Sequence, residues 1–218
     1  MSKKRVLGIY GSPRPAGNSD LLLDAALEGA RSGGVRVDTV YVRDLKFAGC
    51  RECGGCDQTG ECVVKDDMQK IYPLLKKAET IILASPVFFY GFPAGLKALI
   101  DRAQALWVRK NLARGKVQGA MKAEGKNFNL NTPGSRLQAP SSGAGYLLVV
   151  GATRGKNLFS GMELTARYFF DTLDLSYRGG ILIREVEGKG TVGKAPAYLE
   201  QAFQLGKHVA LGSASSKQ

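Results

Sequence analysis

Apolar and polar positions along the chain switch between the period of a strand and the period of a helix. Short apolar or β-branched runs predict five strands, at residues 6–10, 35–42, 80–84, 146–150 and 176–184. Elsewhere apolar residues recur every three or four positions, which predicts helices at residues 19–31, 66–77, 93–108, 159–173 and 196–211. Strands that alternate with helices are typical of an α/β fold with a doubly wound parallel sheet.

The third predicted strand, residues 80–84, is apolar throughout, as expected for the centre of a parallel sheet that is covered on both faces. With strand order 2-1-3-4-5, the switch point of the topology lies between strands one and three. Ligands bind at the carboxyl ends of such strands, next to the switch point. The loops after strands one, three and four are therefore expected to meet at one site.

We expect a single domain over residues 1–211 and a disordered tail at residues 212–218. Residues 104–143 interrupt the alternation before strand four, because they are polar, basic and rich in Gly, Lys and Asn. Structureless loops of this length are uncommon inside compact domains. This insertion is therefore predicted to be functional or to pack as an arm on another subunit.

The net charge and the hydropathy of the chain indicate which kinds of partner to expect. The 218 residues are 44% hydrophobic and carry a formal net charge of +12, which favours acidic partners or phosphorylated cofactors. No nucleic-acid-binding motif accompanies the charge, so we do not expect a nucleic acid partner. No apolar run approaches the length of a membrane span, and the run at residues 6–10 is too short for a signal peptide. We therefore predict a cytoplasmic protein with no membrane partner.

All four cysteines lie in the loop after strand two, at residues 49–63, with the spacing C-x2-C-x2-C-x5-C: Cys50, Cys53, Cys56 and Cys62. Structural zinc usually takes two C-x-x-C pairs that are a dozen or more residues apart, and disulfides between such near neighbours would be strained. Zinc and metal-free redox thiols remain alternatives. A glycine-rich loop with four thiols is best suited to one [4Fe–4S] cluster, with all four cysteines as ligands.

The three loops at the switch point are predicted to bind flavin mononucleotide (FMN). The first ends at a helix N-terminus, where free amides favour a phosphate, and its polar and basic candidates are Ser12, Arg14, Asn18 and Ser19. Alternatively, Asn18 or Ser19 merely caps the helix. The third-strand loop offers an aromatic surface and backbone amides for the flavin ring at Pro86, Val87, Phe88, Phe89, Tyr90 and Gly91. The fourth-strand loop adds Thr153, Arg154 and Gly155; the aromatic residues have an alternative role as core or interface residues.

Several motifs together resemble the iron–sulfur flavoprotein branch of the NADPH-dependent FMN reductase superfamily. They are Gly11-Ser-Pro-Arg14 with Gly17-Asn-Ser19, Cys53-Gly-Gly-Cys56 with Gly60-Glu-Cys62-Val-Val-Lys-Asp-Asp-Met68, Ser85-Pro86 with Tyr90-Gly91, and Leu96-Lys97 with Asp101-Arg102. The resemblance implies a flavodoxin-like fold that binds FMN, a [4Fe–4S] cluster in the loop after strand two, and an oligomer, which we expect to be a homodimer or homotetramer.

The predicted function is an oxidoreductase or electron-transfer flavoprotein that couples a one-electron carrier to a two-electron acceptor. NAD(P)H or a small acidic, ferredoxin-like carrier is the expected partner. No side chain is predicted to be catalytic, since the cofactors supply the chemistry, and the lone His208 is given no role. The alternatives are a cluster-free NAD(P)H-dependent FMN or quinone reductase, and a non-enzymatic electron carrier or redox-sensing module.

Overall fold

The computed structural model describes residues 4–114 and 143–212. Its sheet contains five parallel strands, namely β1 (Arg5–Tyr10), β2 (Arg36–Tyr41), β3 (Thr80–Pro86), β4 (Gly143–Val150) and β5 (Leu175–Ile183). Their order is β2-β1-β3-β4-β5, which confirms the predicted flavodoxin-like topology. The switch point therefore lies between β1 and β3, as expected.

Six helices are formed by the described residues: α1 (Asn18–Ser32), α2 (Met68–Lys77), α3 (Ala94–Arg102), α4 (Gln104–Ala113), α5 (Ser160–Thr172) and α6 (Pro196–Leu211). A short 3-10 helix, Val42–Asp44, follows β2 and leads into the cysteine loop. Most predicted elements are present with ends that differ by one to three residues.

Both faces of the sheet are buried, because successive strand residues point to opposite sides. Leu7, Leu83 and Leu147 belong to the core that packs under α2 to α5. On the other face, residues such as Ile82 and Leu148 share a core with α1 and α6. A parallel sheet covered on both sides presents only the ends of its strands and the loops there to a ligand.

The structure describes the first residues of the predicted insertion over residues 104–143, and they are helical. Residues 104–113 form α4, and the predicted helix over residues 93–108 is divided at Ala103 into α3 and α4. Lys110, whose side chain is buried, forms ion pairs with Asp171 at 3.2 Å and with Asp174 at 3.1 Å, at the end of α5. These contacts join α4 to the domain. Residues 115–142 of the predicted insertion and residues 213–218 of the predicted tail lie outside the described residues.

Helix α4 also supports the cysteine loop. Gly60 has a positive φ of 66° and lies so close to α4 that an added Cβ would collide with the Cα and Cβ of Arg109. Only glycine combines this backbone conformation with so close an approach. The polar stretch that interrupted the sequence pattern thus begins with a helix on which the cysteine loop rests.

Candidate functional site

The loop between β1 and α1 forms one wall of a cavity of about 210 Å³. Seven of the predicted FMN-binding residues line it, namely Ser12, Arg14, Asn18, Ser19, Pro86, Val87 and Phe88. Gly17 is the N-cap of α1, so the predicted alternative that Asn18 or Ser19 caps the helix is wrong. The cavity therefore lies at the helix N-terminus, where free amides and the helix dipole favour an anion.

Two side chains expected to bind phosphate have protein partners in this structure. The hydroxyl of Ser12 donates to the carbonyl oxygen of Arg14 at 3.0 Å and accepts from the Arg14 amide at 3.1 Å. The amide of Asn18 donates to the Gly188 carbonyl oxygen at 2.7 Å and accepts from the Val192 amide at 3.1 Å. Ser12 thus shapes the loop, whereas Asn18 ties the loop to the connection between β5 and α6.

A buried carboxylate beside this loop was missed by the sequence reasoning. Asp20 accepts from the Ala16 amide at 3.1 Å and from the Arg43 guanidinium at 2.9 Å. Burial raises the pKa of Asp20, although the charge of Arg43 opposes the shift. Arg43 also donates to the Ser12 carbonyl oxygen at 3.3 Å. This arginine therefore joins the β1–α1 loop to the segment that leads into the cysteine loop.

The connection after β5 supplies cavity residues that sequence reasoning also missed: Val186, Glu187 and Lys189. Lys189 adds a second basic side chain to the wall that contains Arg14. The available signal was topological, since residues 188–193 are glycine-rich and follow a strand whose carboxyl end lies at the same edge of the sheet.

The aromatic loop after β3 contains a tight turn with an unusual sequence. Phe88 and Gly91 exchange two backbone hydrogen bonds of 2.9 Å, and the residues between them, Phe89 and Tyr90, both have positive φ, at 48° and 61°. Asn and Gly are the usual residues in turns of this kind, so two aromatic residues there imply backbone strain. All three aromatic side chains, of Phe88, Phe89 and Tyr90, are exposed.

The aromatic turn contacts the loop after β4. A Cβ added to Gly155 would collide with Tyr90 Oη, so Tyr90 lies against this glycine. Arg154 is exposed and forms an ion pair with Glu185. The predicted residues Phe89, Tyr90, Gly91, Thr153, Arg154 and Gly155 do not line the 210 Å³ cavity. They follow its wall residues Phe88 and Ala152 along the chain and flank it.

All four cysteines line a second cavity of about 240 Å³, together with Arg102 at the end of α3. None of the four forms a disulfide. Among residues 4–114 and 143–212, no three Cys, His, Asp or Glu side chains are arranged to hold a single metal ion. Gly54 and Gly60 have positive φ, which bends the loop around the cavity. The two cavities share no lining residue.

The thiols differ in their surroundings. Cys50 and Cys53 are exposed, whereas Cys56 and Cys62 are partly buried. Burial, with the charge of Asp57, raises the pKa of the Cys56 thiol. Burial also acts to raise the pKa of Cys62, but the Val64 amide, the Tyr72 hydroxyl and the Arg102 guanidinium together outweigh it, and the net shift is downward. The fourth cysteine is therefore the one held beside a positive charge.

A wider open groove of about 770 Å³ lies between α3, α4 and α5 and includes Cys50. Its lining contains three exposed apolar side chains, those of Trp107, Leu164 and Tyr168. A surface of this kind next to the cysteine loop is typical of a protein interface.

No helix in the described part of the chain has both the length and the apolar character needed to cross a membrane.

Comparison with known proteins agrees with this geometry. The profile of the NADPH-dependent FMN reductase family matches residues 4–133. The chain is 42% identical to an iron-sulfur flavoprotein of Methanosarcina thermophila over 122 residues, which cover 56% of this chain and 63% of that protein. It is 40% identical to an iron-sulfur flavoprotein of Methanocaldococcus jannaschii over 117 residues, which cover 54% of this chain and 60% of that protein. The matched segments thus span less than two thirds of either relative.

The fold is also similar to that of an NAD(P)H:quinone oxidoreductase from Methanothermobacter marburgensis, with a TM-score of 0.60 and coverage of 96% of both chains. Sequence identity between these two proteins is 14%, so this likeness concerns the fold alone.

Proposed function

The chain belongs to the NADPH-dependent FMN reductase family, and on that premise we propose that it is an oxidoreductase that uses FMN and a [4Fe–4S] cluster to couple a one-electron carrier to a two-electron acceptor. The observation that carries the proposal is the single cavity lined by all four cysteines. Relatives described as iron-sulfur flavoproteins, about 40% identical over half the chain, support it.

The β1–α1 cavity fits the phosphate end of FMN. Free amides at the start of α1 and the basic side chains of Arg14 and Lys189 would face the phosphate. A Cβ at Gly17 would lie 3.3 Å from the Arg14 carbonyl oxygen, so a larger residue there would push against this loop. The exposed aromatic turn at Phe89 and Tyr90 would contact the ring, with Gly155 leaving space for Tyr90.

The cysteine cavity fits a cluster better than a single ion. Its volume of about 240 Å³ is lined by four free thiols, and their C-x2-C-x2-C-x5-C spacing is not that of a structural zinc site. Cys50, Cys53, Cys56 and Cys62 would be the ligands. When bound, the cluster supplies one-electron transfer and FMN supplies one- or two-electron transfer, while the chain holds each group and sets its potential.

The donor is proposed to be NAD(P)H or a small acidic, ferredoxin-like carrier. The family name supports the nicotinamide, and the formal net charge of +12 supports attraction of an acidic protein. No catalytic side chain is proposed. We further propose a homodimer or homotetramer, because the groove beside Cys50 exposes Trp107, Leu164 and Tyr168 to solvent in a single chain. Sedimentation of the purified protein tests the oligomeric state.

Anaerobic purification followed by cofactor analysis tests the proposal. We expect brown protein with about one FMN and about four irons and four acid-labile sulfides per chain. Colourless protein loaded with zinc would contradict it. Yellow protein that contains FMN without iron, and whose turnover survives the replacement of Cys53 and Cys56 by Ala, would favour the second candidate. That candidate is a cluster-free NAD(P)H-dependent FMN or quinone reductase, which the family name alone supports.

A further inference from the structure

Arg102 is a buried cation in contact with a proposed cluster ligand. Arg102 is 2% exposed. Its Nη2 atom lies 3.4 Å from the sulfur of Cys62, which is 40 positions earlier in the chain. The same guanidinium donates to the Ala48 carbonyl oxygen at 2.8 Å. Because Ala48 directly precedes the cysteine loop and Cys62 lies near its end, Arg102 connects the two ends of that loop.

Asp66 holds the guanidinium in this orientation. Its two carboxylate oxygens accept from Nη1 at 2.6 Å and from Nη2 at 3.0 Å, a two-point contact that fixes the plane of the guanidinium. The Tyr72 hydroxyl donates to the Arg102 carbonyl oxygen at 3.0 Å, which joins the end of α3 to α2. The arginine therefore has little freedom to turn away from the sulfur.

The four cysteine sulfurs differ in whether they contact a charged side chain. In the described ranges 4–114 and 143–212, Cys62 is the cysteine whose sulfur accepts from a charged side chain. A hydrogen bond or positive charge at a ligand sulfur favours the reduced cluster, which carries one more negative charge. A carboxylate at similar range has the opposite effect.

We propose that Arg102 is a positioning residue that holds Cys62 as the fourth cluster ligand and raises the reduction potential of the cluster, while Asp66 orients Arg102 and lowers that potential. The inference rests on the proposed function, since it presumes that the cysteine loop binds a cluster.

The test is a redox titration of the cluster in anaerobically purified protein, followed by electron paramagnetic resonance of the reduced form. For Arg102→Gln, we expect about a tenfold smaller equilibrium constant for reduction, because a charge-assisted hydrogen bond is lost. For a one-electron couple this is a potential lower by about 59 mV. Asp66→Asn removes the negative charge and keeps one oxygen that can accept from Arg102, and we expect its potential to rise.

Two further variants distinguish the effect of the position of the Arg102 guanidinium from the effect of its positive charge. Arg109→Gln removes a positive charge beside the same loop, but Arg109 is exposed and pairs with Glu61 at 3.6 Å instead of with a sulfur. We expect its potential to equal that of the wild type. Arg102→Lys keeps the charge but lacks the planar fork, so its potential should fall between those of Arg102→Gln and the wild type.

The signs of the shifts decide the outcome. Equal shifts of the reduction potential in Arg102→Gln and Arg109→Gln would show that any nearby positive charge has this effect, which would overturn the inference. Shifts of the same sign in Arg102→Gln and Asp66→Asn would also overturn it. If Arg102→Gln retains no cluster, Asp66→Asn decides alone, and an unchanged or lower potential overturns the inference. Wild-type protein without iron and sulfide would overturn the proposed function and this inference together, whereas a normal cluster with unmoved potentials would overturn this inference alone.

Discussion

Replacing Asn18 by Ala separates two ways in which this residue can contribute to FMN binding. The sequence pattern predicted a direct phosphate ligand, but the side-chain amide of Asn18 bonds Gly188 and Val192 in the connection between β5 and α6. That connection carries Lys189, which lines the β1–α1 cavity. We expect Asn18 to act by holding Lys189 in place.

The structure sets the size of the effect. Asn18 makes two hydrogen bonds, of 2.7 Å and 3.1 Å, and each contributes about 1 kcal/mol. If their loss is expressed fully in binding, Asn18→Ala costs about 2 kcal/mol, or about a 30-fold higher Kd for FMN. Riboflavin has no phosphate, so its Kd should remain the same.

The assay is the quenching of flavin fluorescence when apoprotein is titrated with FMN and, separately, with riboflavin. Asn18→Ala, Lys189→Ala and the double variant form a mutant cycle. If Asn18 acts through Lys189, the double variant should bind FMN no more weakly than the weaker single variant. Lys194→Ala is the matched control, because Lys194 lies in the same connection but does not line the cavity.

Three results would refute this reasoning. Additive losses in the double variant would show that Asn18 and Lys189 act independently. A parallel loss of riboflavin affinity would place the effect outside the phosphate end. An equal loss of FMN affinity in Lys194→Ala would show that charge near the cavity, and not the position of Lys189, governs binding.

Three other predictions concern the domain and its second loop. Lys110→Met should lower the free energy of unfolding in urea by about 2 kcal/mol, because it leaves two carboxylates without their buried partner; the same change at the exposed Lys97 should cost less than about 0.5 kcal/mol. Gly155→Val should weaken binding of FMN and riboflavin alike, by about tenfold in fluorescence titrations, because its Cβ displaces Tyr90; equal affinities would contradict this placement of the ring. Burial tends to raise the pKa of Asp66, but the guanidinium of Arg102 opposes burial, and the net shift lowers the pKa below the ordinary 3.8. The ionised Asp66 carboxylate therefore stabilises the fold at a pH above 3.8, and this stabilisation is lost as the pH falls. Asp66→Asn apoprotein should therefore lose less stability than the wild type between about pH 5 and about pH 3 in urea titrations, and an equal loss would contradict the assignment.

Sequence reasoning was most successful where the signal is local. The period of the apolar residues predicted the five strands, and α6 was predicted to its end residues. It was least successful at α4, whose second half begins with three polar residues, Arg109, Lys110 and Asn111, and was assigned to the insertion alone. Helix α4 is stabilised by contacts with Asp171 and Asp174 about 60 residues later, which no local pattern contains. The tertiary contact overrode the local composition.

For the candidate site too, some features were predicted from the sequence and others were not. Spacing alone placed four cysteines in one loop, and topology alone placed the β1–α1 and β3–α3 loops at one edge of the sheet. The roles of single side chains were harder to predict. Asn18 was expected to face the phosphate; it lines the cavity, and its side-chain amide also bonds the β5–α6 connection. Asp20 was missed because no local signal marks it as a site residue, and Lys189 was missed because only the topology of the sheet brings its connection to this site.

The sequence by itself determined the order of elements, the covered parallel sheet and the cysteine loop, because periodicity and spacing act over a few residues. Only the tertiary structure decided which side chains meet across the chain. Arg102 reaches Cys62 over 40 positions, and Asn18 reaches Val192 over 174. Such pairs depend on how the helices pack against the sheet, and the apolar pattern specifies that a face is buried without specifying its partner.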